Sequence, residues 1–198
     1  MRIRRADCIL AVVDVQERLV DTIAGHVSMT ENITALVKAS EALQLPIIAT
    51  EQEKLGGIVP ELKALLGSGS VRKLTFSCCD SPEFMTHVNA TGRRTVILCG
   101  IETHICVMQT ALDLLVGHHR VLVIRDATSS HAEADRETAL RRMELAGAEI
   151  STVEAVIYEL TEKAGTDEFR KILDIVKERR THMPEGGVSK ERKPVRRH

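Results

Sequence analysis

Six short apolar runs rich in β-branched residues recur along this chain of 198 residues, and longer amphipathic stretches separate them. Runs this apolar are typical of strands buried on both faces, so their alternation with helices predicts a three-layer α/β fold around a parallel sheet. The predicted strands cover 8–14, 46–51, 70–74, 94–100, 120–126 and 148–152. The predicted helices cover about 30–44, 60–66, 81–91, 103–117, 132–146, 153–161 and 166–180.

Two helix ends carry sequence signals of their own. Ser28 followed by Glu31 indicates a capping box at the start of the first helix. Gly147 is typical of the residue after a helix, and it indicates the end of the fifth.

Polar or flexible residues stand at or near the ends of five predicted strands: Asp14, Glu51, Lys73, Gly100 and Asp126. In a parallel sheet these ends share one edge, and ligands bind beyond it where the strand order reverses. We therefore expect the functional site at this edge. Asp126 we interpret as a loop cap and not as a catalytic residue.

The segment VILCGIETHICVMQTALDLL (96–115) joins a strand, a glycine and an amphipathic helix. With Thr103 as N-cap, Cys106 is the third helical residue, where free N–H groups and the helix dipole favour a thiolate. Helical spacing places Cys106 beside Gln109, Thr110 and Asp113, away from the apolar stripe, so we expect its sulfur to face a cavity. The stripe is formed by Val107, Met108, Ala111, Leu112 and Leu115. The alternative is an ordinary buried cysteine that acts as a small apolar residue.

The amino-acid composition limits the number of domains, the kinds of binding partner and the cellular compartment. A chain with 43% hydrophobic and 28% charged residues can form one globular domain, predicted over 1–180, and the basic segment 181–198 is predicted to be a disordered tail. A net charge of −1 and 2% aromatic residues argue against nucleic-acid binding. The first apolar run is too short for a signal peptide or membrane anchor, and five cysteines without framework spacing favour the reducing cytoplasm.

Common cofactor and metal motifs do not occur in the sequence. It has no GxGxxG turn, no GxxxxGK[ST] loop and no HExxH motif. These absences argue against a dehydrogenase, a nucleoside triphosphatase or a zinc hydrolase of the usual kind. We therefore expect neither a cofactor nor a catalytic metal, and a small molecule as the substrate.

Three motifs, VVDVQERL with Asp14, VRKLTFS with Lys73 and GIETHICV with Cys106, resemble the Asp-Lys-Cys triad of the isochorismatase-like cysteine hydrolase superfamily. The likeness covers most of residues 8–160, and the motif sequences are most similar to those of the isochorismatase-domain-containing branch. The resemblance implies a sheet of order 3-2-1-4-5-6, a cis peptide between Ile101 and Glu102, and a homo-oligomer, dimer or higher. Without it, Lys73 would be read as a solvated strand-end charge and Asp14 as a turn or capping carboxylate.

The resemblance also implies roles for residues around Cys106. Asp14 would take the thiol proton, and the Lys73 ammonium together with the helix N-terminus would stabilise the thiolate that attacks. The backbone N–H groups of Glu102 and Cys106 would form an oxyanion hole. Two further residues would line the substrate pocket, Gln52 and Phe76, although Phe76 is equally compatible with the core.

The presence of Cys106 favours hydrolysis of a small amide-like C–N bond through a thioester. Nicotinamidases of the superfamily hold a metal through a DxH motif after the second strand, but this chain has Glu51, Gln52 and Glu53 there, which argues against that activity. Two alternatives stay open. One is metal-free hydrolysis of a vinyl ether of the isochorismate type driven by Asp14, and the other is a binding or scaffold protein without catalysis.

Overall fold

A computed structural model describes residues 1–67 and 69–182. Its centre is one sheet of six strands in the order β3-β2-β1-β4-β5-β6, and every neighbouring pair is parallel. The strands are β1 (Cys8–Val13), β2 (Ile47–Gln52), β3 (Ser70–Lys73), β4 (Thr95–Ile101), β5 (Arg120–Ser129) and β6 (Glu149–Ser151). The predicted fold class and strand order are both confirmed.

Helices cover both faces of the sheet and bury an apolar core on each side. The helices are α1 (Glu17–Val20), α2 (His26–Ala42), α3 (Pro60–Leu66), α4 (Pro82–Ala90), α5 (Met108–Val116), α6 (Glu133–Leu145), α7 (Val153–Thr161) and α8 (Asp167–His182). One core packs beneath α2, α3, α7 and α8, and the other beneath α4, α5 and α6. No helix within these described ranges is long and apolar enough to cross a membrane.

Several predicted boundaries were wrong. Helix α2 begins at His26, so Ser28 lies inside it, and the Ser28 hydroxyl donates to the Gly25 carbonyl instead of forming a capping box. Strand β5 continues to Ser129, three residues beyond the predicted end at 126. Gly147 does follow α6, with a left-handed φ of +108° that suits glycine.

The predicted tail begins within a helix. Helix α8 extends through Thr181 to His182, so the first two residues of the predicted disordered segment 181–198 are helical. The remainder, 183–198, lies outside the described residues.

Gly100 sets how closely β1 and β4 approach at the edge where the strand order reverses. It pairs with Val13 in the register of the two strands, and its φ of +117° is one that residues with side chains rarely adopt. A Cβ on Gly100 would lie 2.1 Å from the Val13 carbonyl oxygen, so only glycine fits between the strands. Asp14 follows Val13 directly, and the turn that bears Cys106 follows β4, so this contact brings the two segments together.

Asp126 lies inside β5 and has a structural role. Its Oδ1 accepts the Val153 N–H at 2.8 Å and so caps the first turn of α7, while its Oδ2 pairs with Arg179 at 2.9 Å. The Nε of Arg179 donates to Asn32 Oδ1 at 2.6 Å, and Arg179 also pairs with Glu154. The group joins α2, β5, α7 and α8, which agrees with a capping role for Asp126.

Candidate active site

Asp14 is buried at the end of β1, with a positive φ of 51°. Its carboxylate has two partners: Oδ1 accepts the Thr50 hydroxyl at 2.7 Å, and Oδ2 accepts the Lys73 ammonium at 2.6 Å. Carboxylates with charged and hydroxyl donors are held firmly in one orientation. The structure therefore fixes Asp14 as a buried, ion-paired acid or base.

Lys73 ends β3, two strands away from β1, and its side chain reaches Asp14 past β2. The Nζ donates to Gln52 Oε1 at 2.8 Å and to the carbonyls of Thr75 at 3.2 Å and Phe76 at 3.3 Å. Only 1% of the side chain is exposed, which excludes the solvated strand-end interpretation. Burial lowers the pKa of Lys73, but Asp14 and the nearby thiols outweigh burial and raise it above the ordinary value, so this lysine is charged.

Cys106 lies in a π-helical turn, Thr103–Val107, that precedes α5. Its Sγ is 3.6 Å from Lys73 Nζ. The expected N-cap was wrong, because Glu102 occupies the cap position and the buried Thr103 hydroxyl has no hydrogen-bond partner among the described residues. The three residues that the resemblance grouped are therefore brought into one cluster.

The predicted placement of Cys106 away from the apolar stripe was also wrong. Cys106 is only 6% exposed and lies on the same buried face as Val107, Thr110, Ala111 and Leu114. The π-helical turn adds a residue before α5 and rotates the later positions, which a strict helical spacing does not anticipate. The sulfur is therefore buried beside Lys73 and does not lie on an open helix face.

The resting form of Cys106 differs from the thiolate that its helix position suggested. Burial is the largest cause that raises the pKa of this thiol, and the Asp14 charge and a hydrogen bond to Asp14 add to it. The Lys73 ammonium lowers the pKa but does not outweigh them. Cys106 is therefore a neutral thiol at rest, next to a carboxylate able to accept its proton.

Gln52 has a defined place beside Lys73. Its Oε1 accepts the Lys73 ammonium, its Nε2 donates to the Leu74 carbonyl at 2.8 Å, and its N–H donates to Gln16 Oε1 at 2.8 Å. Gln52 also forms part of the wall of a groove of about 440 Å³ along the ends of β2 and β3. Gln52 therefore orients the Lys73 side chain and also borders this groove.

The Phe76 side chain is 54% exposed, so it is not part of the core. Its carbonyl accepts a hydrogen bond from Lys73 Nζ at 3.3 Å. An exposed aromatic ring beside a buried reactive group is available to a ligand.

The Ile101–Glu102 peptide is cis, in agreement with the family expectation. The Glu102 carbonyl accepts the N–H groups of Ile105 at 3.1 Å and Val107 at 3.2 Å, which ties it to the turn that carries Cys106. The two candidate oxyanion donors, the N–H groups of Glu102 and Cys106, therefore belong to one compact turn.

Three residues that support the triad were missed by sequence reasoning. Thr50 holds Asp14, Thr110 Oγ1 accepts the Cys78 N–H at 2.9 Å, and the buried Cys78 sulfur lies 3.9 Å from Thr50 Oγ1. A Thr in a buried strand is too common to signal such a role by itself. Only the position of Thr110 four residues after Cys106 places it on the same helix face.

Within the part of the chain that the structure describes, no group of three His, Cys, Asp or Glu side chains is arranged to hold a metal ion. Glu51, which stands where the metal motif of nicotinamidases would begin, accepts the Ile58 N–H at 3.3 Å and lies 3.7 Å from Arg72. Its carboxylate stabilises the loop after β2.

The chain resembles known proteins in sequence. The model of the isochorismatase domain family matches residues 8–155. The secreted isochorismatase effector Isc1 of Phytophthora sojae is 38% identical over 86% of this chain and 84% of its own length. Isochorismatase domain-containing protein 2A of Mus musculus is 35% identical over 94% of this chain and 89% of its own length.

Solved structures share the fold over nearly the full chain. The MAR1 ribonuclease of Caenorhabditis elegans superposes with a TM-score of 0.85 at 33% identity, covering 100% of both chains. YcaC of Pseudomonas aeruginosa, solved with hexane-2,5-diol and covalent acrylamide, has a TM-score of 0.83 at 26% identity over 91% of this chain and 94% of its own. YcaC of Escherichia coli, described as an octameric hydrolase of unknown specificity, has a TM-score of 0.84 at 26% identity over the same shares.

Proposed function

The chain belongs to the isochorismatase family of hydrolases, and from this premise we propose that it hydrolyses a small amide-like substrate through a thioester on Cys106. The observation that carries the proposal is the contact of three groups. Lys73 Nζ lies 2.6 Å from Asp14 and 3.6 Å from the Cys106 sulfur, and all three side chains are buried. A base, a cation and a nucleophile in contact are the parts that covalent catalysis by cysteine needs.

The first step follows from the resting protonation states. Because Cys106 is a neutral thiol, the S–H proton passes to Asp14 as the sulfur bonds to the substrate carbonyl carbon. The Lys73 ammonium stabilises the negative charge that develops on sulfur during this transfer. The carbonyl oxygen becomes an oxyanion, held by the N–H groups of Glu102 and Cys106.

The second half of the reaction returns the site to its starting state. The tetrahedral intermediate collapses as Asp14 gives the proton to the leaving nitrogen, so the C–N bond breaks and an acyl thioester remains. A water then attacks the thioester carbon while Asp14 accepts one of its protons. Collapse releases the carboxylic acid, and the proton returns to the Cys106 sulfur.

Gln52 and Phe76 are the residues that we propose for substrate contact. Gln52 connects the charged centre to the groove along β2 and β3, and the exposed Phe76 ring lies a few residues after Lys73. An amide-sized substrate needs an apolar wall and a few polar groups to orient it. These two side chains supply one of each.

Chemistry in a relative supports a reactive nucleophile. The YcaC of Pseudomonas aeruginosa holds covalent acrylamide, a compound that adds to nucleophilic side chains. Thiolates are the most reactive of these in proteins at neutral pH. The observation belongs to that protein, and in this chain it favours Cys106 as the group that acts on carbon.

A second candidate is metal-free hydrolysis of a vinyl ether, in which Asp14 protonates the substrate and Cys106 takes no part. The name of the 38% identical relative, an isochorismatase effector, favours testing it. Full turnover of isochorismate by the Cys106→Ala variant would establish this candidate in place of ours.

The same purified protein can be tested for RNA cleavage and for metabolite binding without turnover. The likeness to a protein named MAR1 ribonuclease makes cleavage of RNA a direct test of the expectation that this chain has no nucleic-acid partner. Tight binding of a metabolite without turnover, unaffected by Cys106→Ala, would instead indicate a binding or scaffold protein.

We also propose that the protein is a cytoplasmic homo-oligomer. An octameric relative with the same fold supports the assembly, and five free cysteines suit a reducing compartment. Light scattering of the purified protein and fractionation of cells test the two statements. A monomer or a secreted pool would contradict them.

The decisive experiment measures acyl transfer directly. Mixing the protein with p-nitrophenyl acetate should release p-nitrophenolate in a burst of one per active site, with an acetyl group on Cys106 detected by mass spectrometry. Cys106→Ala should abolish the burst, and Cys8→Ala, which removes a buried thiol at the opposite end of β1, should retain it. A panel of small amides and imides then identifies the substrate, and a wild-type burst that does not depend on Cys106 would contradict the proposed function.

A further inference from the structure

A second hydrogen-bonded cluster surrounds Glu102 and takes no part in the steps above. Glu102 Oε2 accepts the His131 N–H at 2.8 Å and lies 4.0 Å from His104 Nδ1. His104 Nδ1 in turn is 3.0 Å from the hydroxyl of the buried Ser130. The side chain of Glu102 is only 15% exposed, so this carboxylate is held by protein and is not a solvated surface charge.

The cluster continues the pairing of β4 and β5 beyond the sheet. Ile101 and Ser129 are the last paired residues of these strands. Glu102 follows Ile101 directly and His131 lies two residues after Ser129, and the His131 N–H donates to the Glu102 carboxylate. The turn that carries Cys106 is therefore tied to the loop that precedes α6.

A third segment, the loop between α1 and α2, is bonded to the same place. The Ser129 hydroxyl donates to the Ala24 carbonyl at 2.6 Å, and the Ala24 N–H donates to the Ser130 carbonyl at 3.1 Å. His131 Nδ1 lies 2.8 Å from the Thr22 carbonyl, which can only accept, so Nδ1 carries the proton. This side chain thus bridges two loops while its backbone N–H holds Glu102.

Glu102 is consequently fixed at both ends. Its carbonyl accepts two N–H groups of the Cys106 turn, and its carboxylate accepts the N–H of His131. The Glu102 N–H belongs to the preceding peptide, whose other residue, Ile101, is paired with Ser129 in the sheet. With Ile101 held on one side and the Glu102 carbonyl and carboxylate on the other, this N–H keeps one direction, which is what an oxyanion donor requires.

We propose that the Glu102 carboxylate is a positioning residue that aims the Glu102 N–H at the carbonyl oxygen of an acyl group bound to Cys106. The inference rests on the proposed function, because an oxyanion forms only if Cys106 attacks a carbonyl. It assigns a task to a side chain that neither donates nor accepts a proton in the reaction.

Two reactions of the same sulfur separate positioning from nucleophilicity. Acetylation by p-nitrophenyl acetate passes through an oxyanion as the S–C bond forms, the thiol proton goes to Asp14 and p-nitrophenolate leaves. Alkylation by iodoacetamide displaces iodide at a saturated carbon and forms no oxyanion. Loss of Glu102 should slow the first reaction and spare the second.

The experiment compares Glu102→Ala, Glu102→Gln and the control Glu83→Ala, which removes an exposed carboxylate from the first turn of α4. Glu102→Ala should lower the rate of acetylation about 10- to 100-fold, since one misplaced oxyanion donor has effects of this order. Its alkylation rate should stay within about twofold, because no oxyanion donor acts there. Glu102→Gln keeps an oxygen that can accept the His131 N–H, so it should recover acetylation to within about threefold of wild type.

Equal acetylation rates in wild type and Glu102→Ala would overturn the inference, as would a parallel loss of both reactions. A failure of Glu102→Gln to recover would overturn it as well, because the carboxylate charge and not the hydrogen bond would then be the cause. A wild-type burst independent of Cys106 contradicts the proposed function instead, so the two failures are distinguishable. Circular dichroism melting of each variant shows that the fold is retained.

Discussion

Two ion pairs near the carboxyl edge of the sheet can be compared, Asp14 with Lys73 and Asp126 with Arg179. In each, a carboxylate from a strand meets a long cation from elsewhere in the chain, at 2.6 Å and 2.9 Å. Each cation is also held by an amide oxygen, from Gln52 in one case and from Asn32 in the other. The two pairs are alike in charge and distance, although Asp14 and Lys73 are fully buried whereas the Asp126 side chain is 25% exposed.

The two pairs differ in the group that lies next to the cation in addition to its carboxylate and its amide oxygen. Arg179 is surrounded by Asn32, Asp126 and Glu154, all of which are satisfied by binding it, and Asp126 has a helix to cap. Lys73 instead lies 3.6 Å from a neutral thiol whose proton Asp14 is placed to accept. A buried ion pair becomes a candidate catalytic centre when a nucleophile completes it, and otherwise it joins elements of the fold.

The strongest way to break this comparison is to neutralise each carboxylate. Asp14→Asn should reduce Cys106-dependent hydrolysis of p-nitrophenyl acetate about 10²- to 10⁴-fold, because the general base is lost. Asp126→Asn should change it less than about threefold, since it holds no reacting atom. Steady-state kinetics measures both, and equal losses would show that the two pairs serve the same structural purpose.

The two cations provide the next contrast. Lys73→Met leaves the buried Asp14 carboxylate without its cation, so it should lower the free energy of unfolding by about 3–5 kcal/mol, measured by urea denaturation. Arg179→Met should lower it by less, because the Asp126 side chain is 25% exposed and keeps the Val153 N–H. Only Lys73→Met should also reduce acetylation of Cys106 in the folded protein, by about 10²-fold, because the developing thiolate loses its cation. Retained acetylation in Lys73→Met would remove Lys73 from the mechanism.

The pH dependence of alkylation sharpens the comparison further. Because burial and Asp14 raise the pKa of Cys106, alkylation by iodoacetamide should keep rising with pH beyond the range of an ordinary thiol. Asp14→Asn removes a charge and a hydrogen bond that raise this pKa, so the rise should move to lower pH. Lys73→Met removes a cation that lowers it, so the rise should move to higher pH, and Asp126→Asn should leave the curve in place. Shifts in the reverse directions would contradict the proposed charge arrangement.

The smallest effect is expected from the amides that hold the two cations. Gln52→Ala should reduce Cys106-dependent hydrolysis about 3- to 10-fold, because Lys73 loses one of its hydrogen bonds while its ion pair stays. Asn32→Ala, which removes the matching bond to Arg179, should leave hydrolysis unchanged. A change in KM in Gln52→Ala would add a direct contact with substrate, and an equal effect of both variants would place Gln52 among purely structural residues.

The sequence predicted some of this site for physical reasons. Asp14 and the segment before Cys106 follow the first and fourth strands, and the strand order that the family resemblance implies places these two side by side, so their proximity follows from that order. Lys73 does not follow in the same way, since β3 lies two strands from β1. Its contact with Asp14 depends on the length of its side chain and on a bond to Gln52, and only the family resemblance anticipated it.

The protonation state of Cys106 could not be predicted, because it depends on burial and on the distance to Asp14. Helix position alone indicated a thiolate. The π-helical turn and the support from Thr50 and Thr110 also depend on three-dimensional packing. Spacing along one helix contains no information about what another strand presents to it.

Gly100 determines how far apart the two segments that carry Asp14 and Cys106 lie. Since a single carbon atom there would lie 2.1 Å from the Val13 carbonyl, any substitution must push the two central strands apart. Asp14 and Cys106 lie just beyond this point on the two separated segments, and in the proposed mechanism a misplacement of about 1 Å would slow the reaction about 100-fold. Glycine at position 100 thus fixes the spacing of β1 and β4, and with it the distance between Asp14 and Cys106.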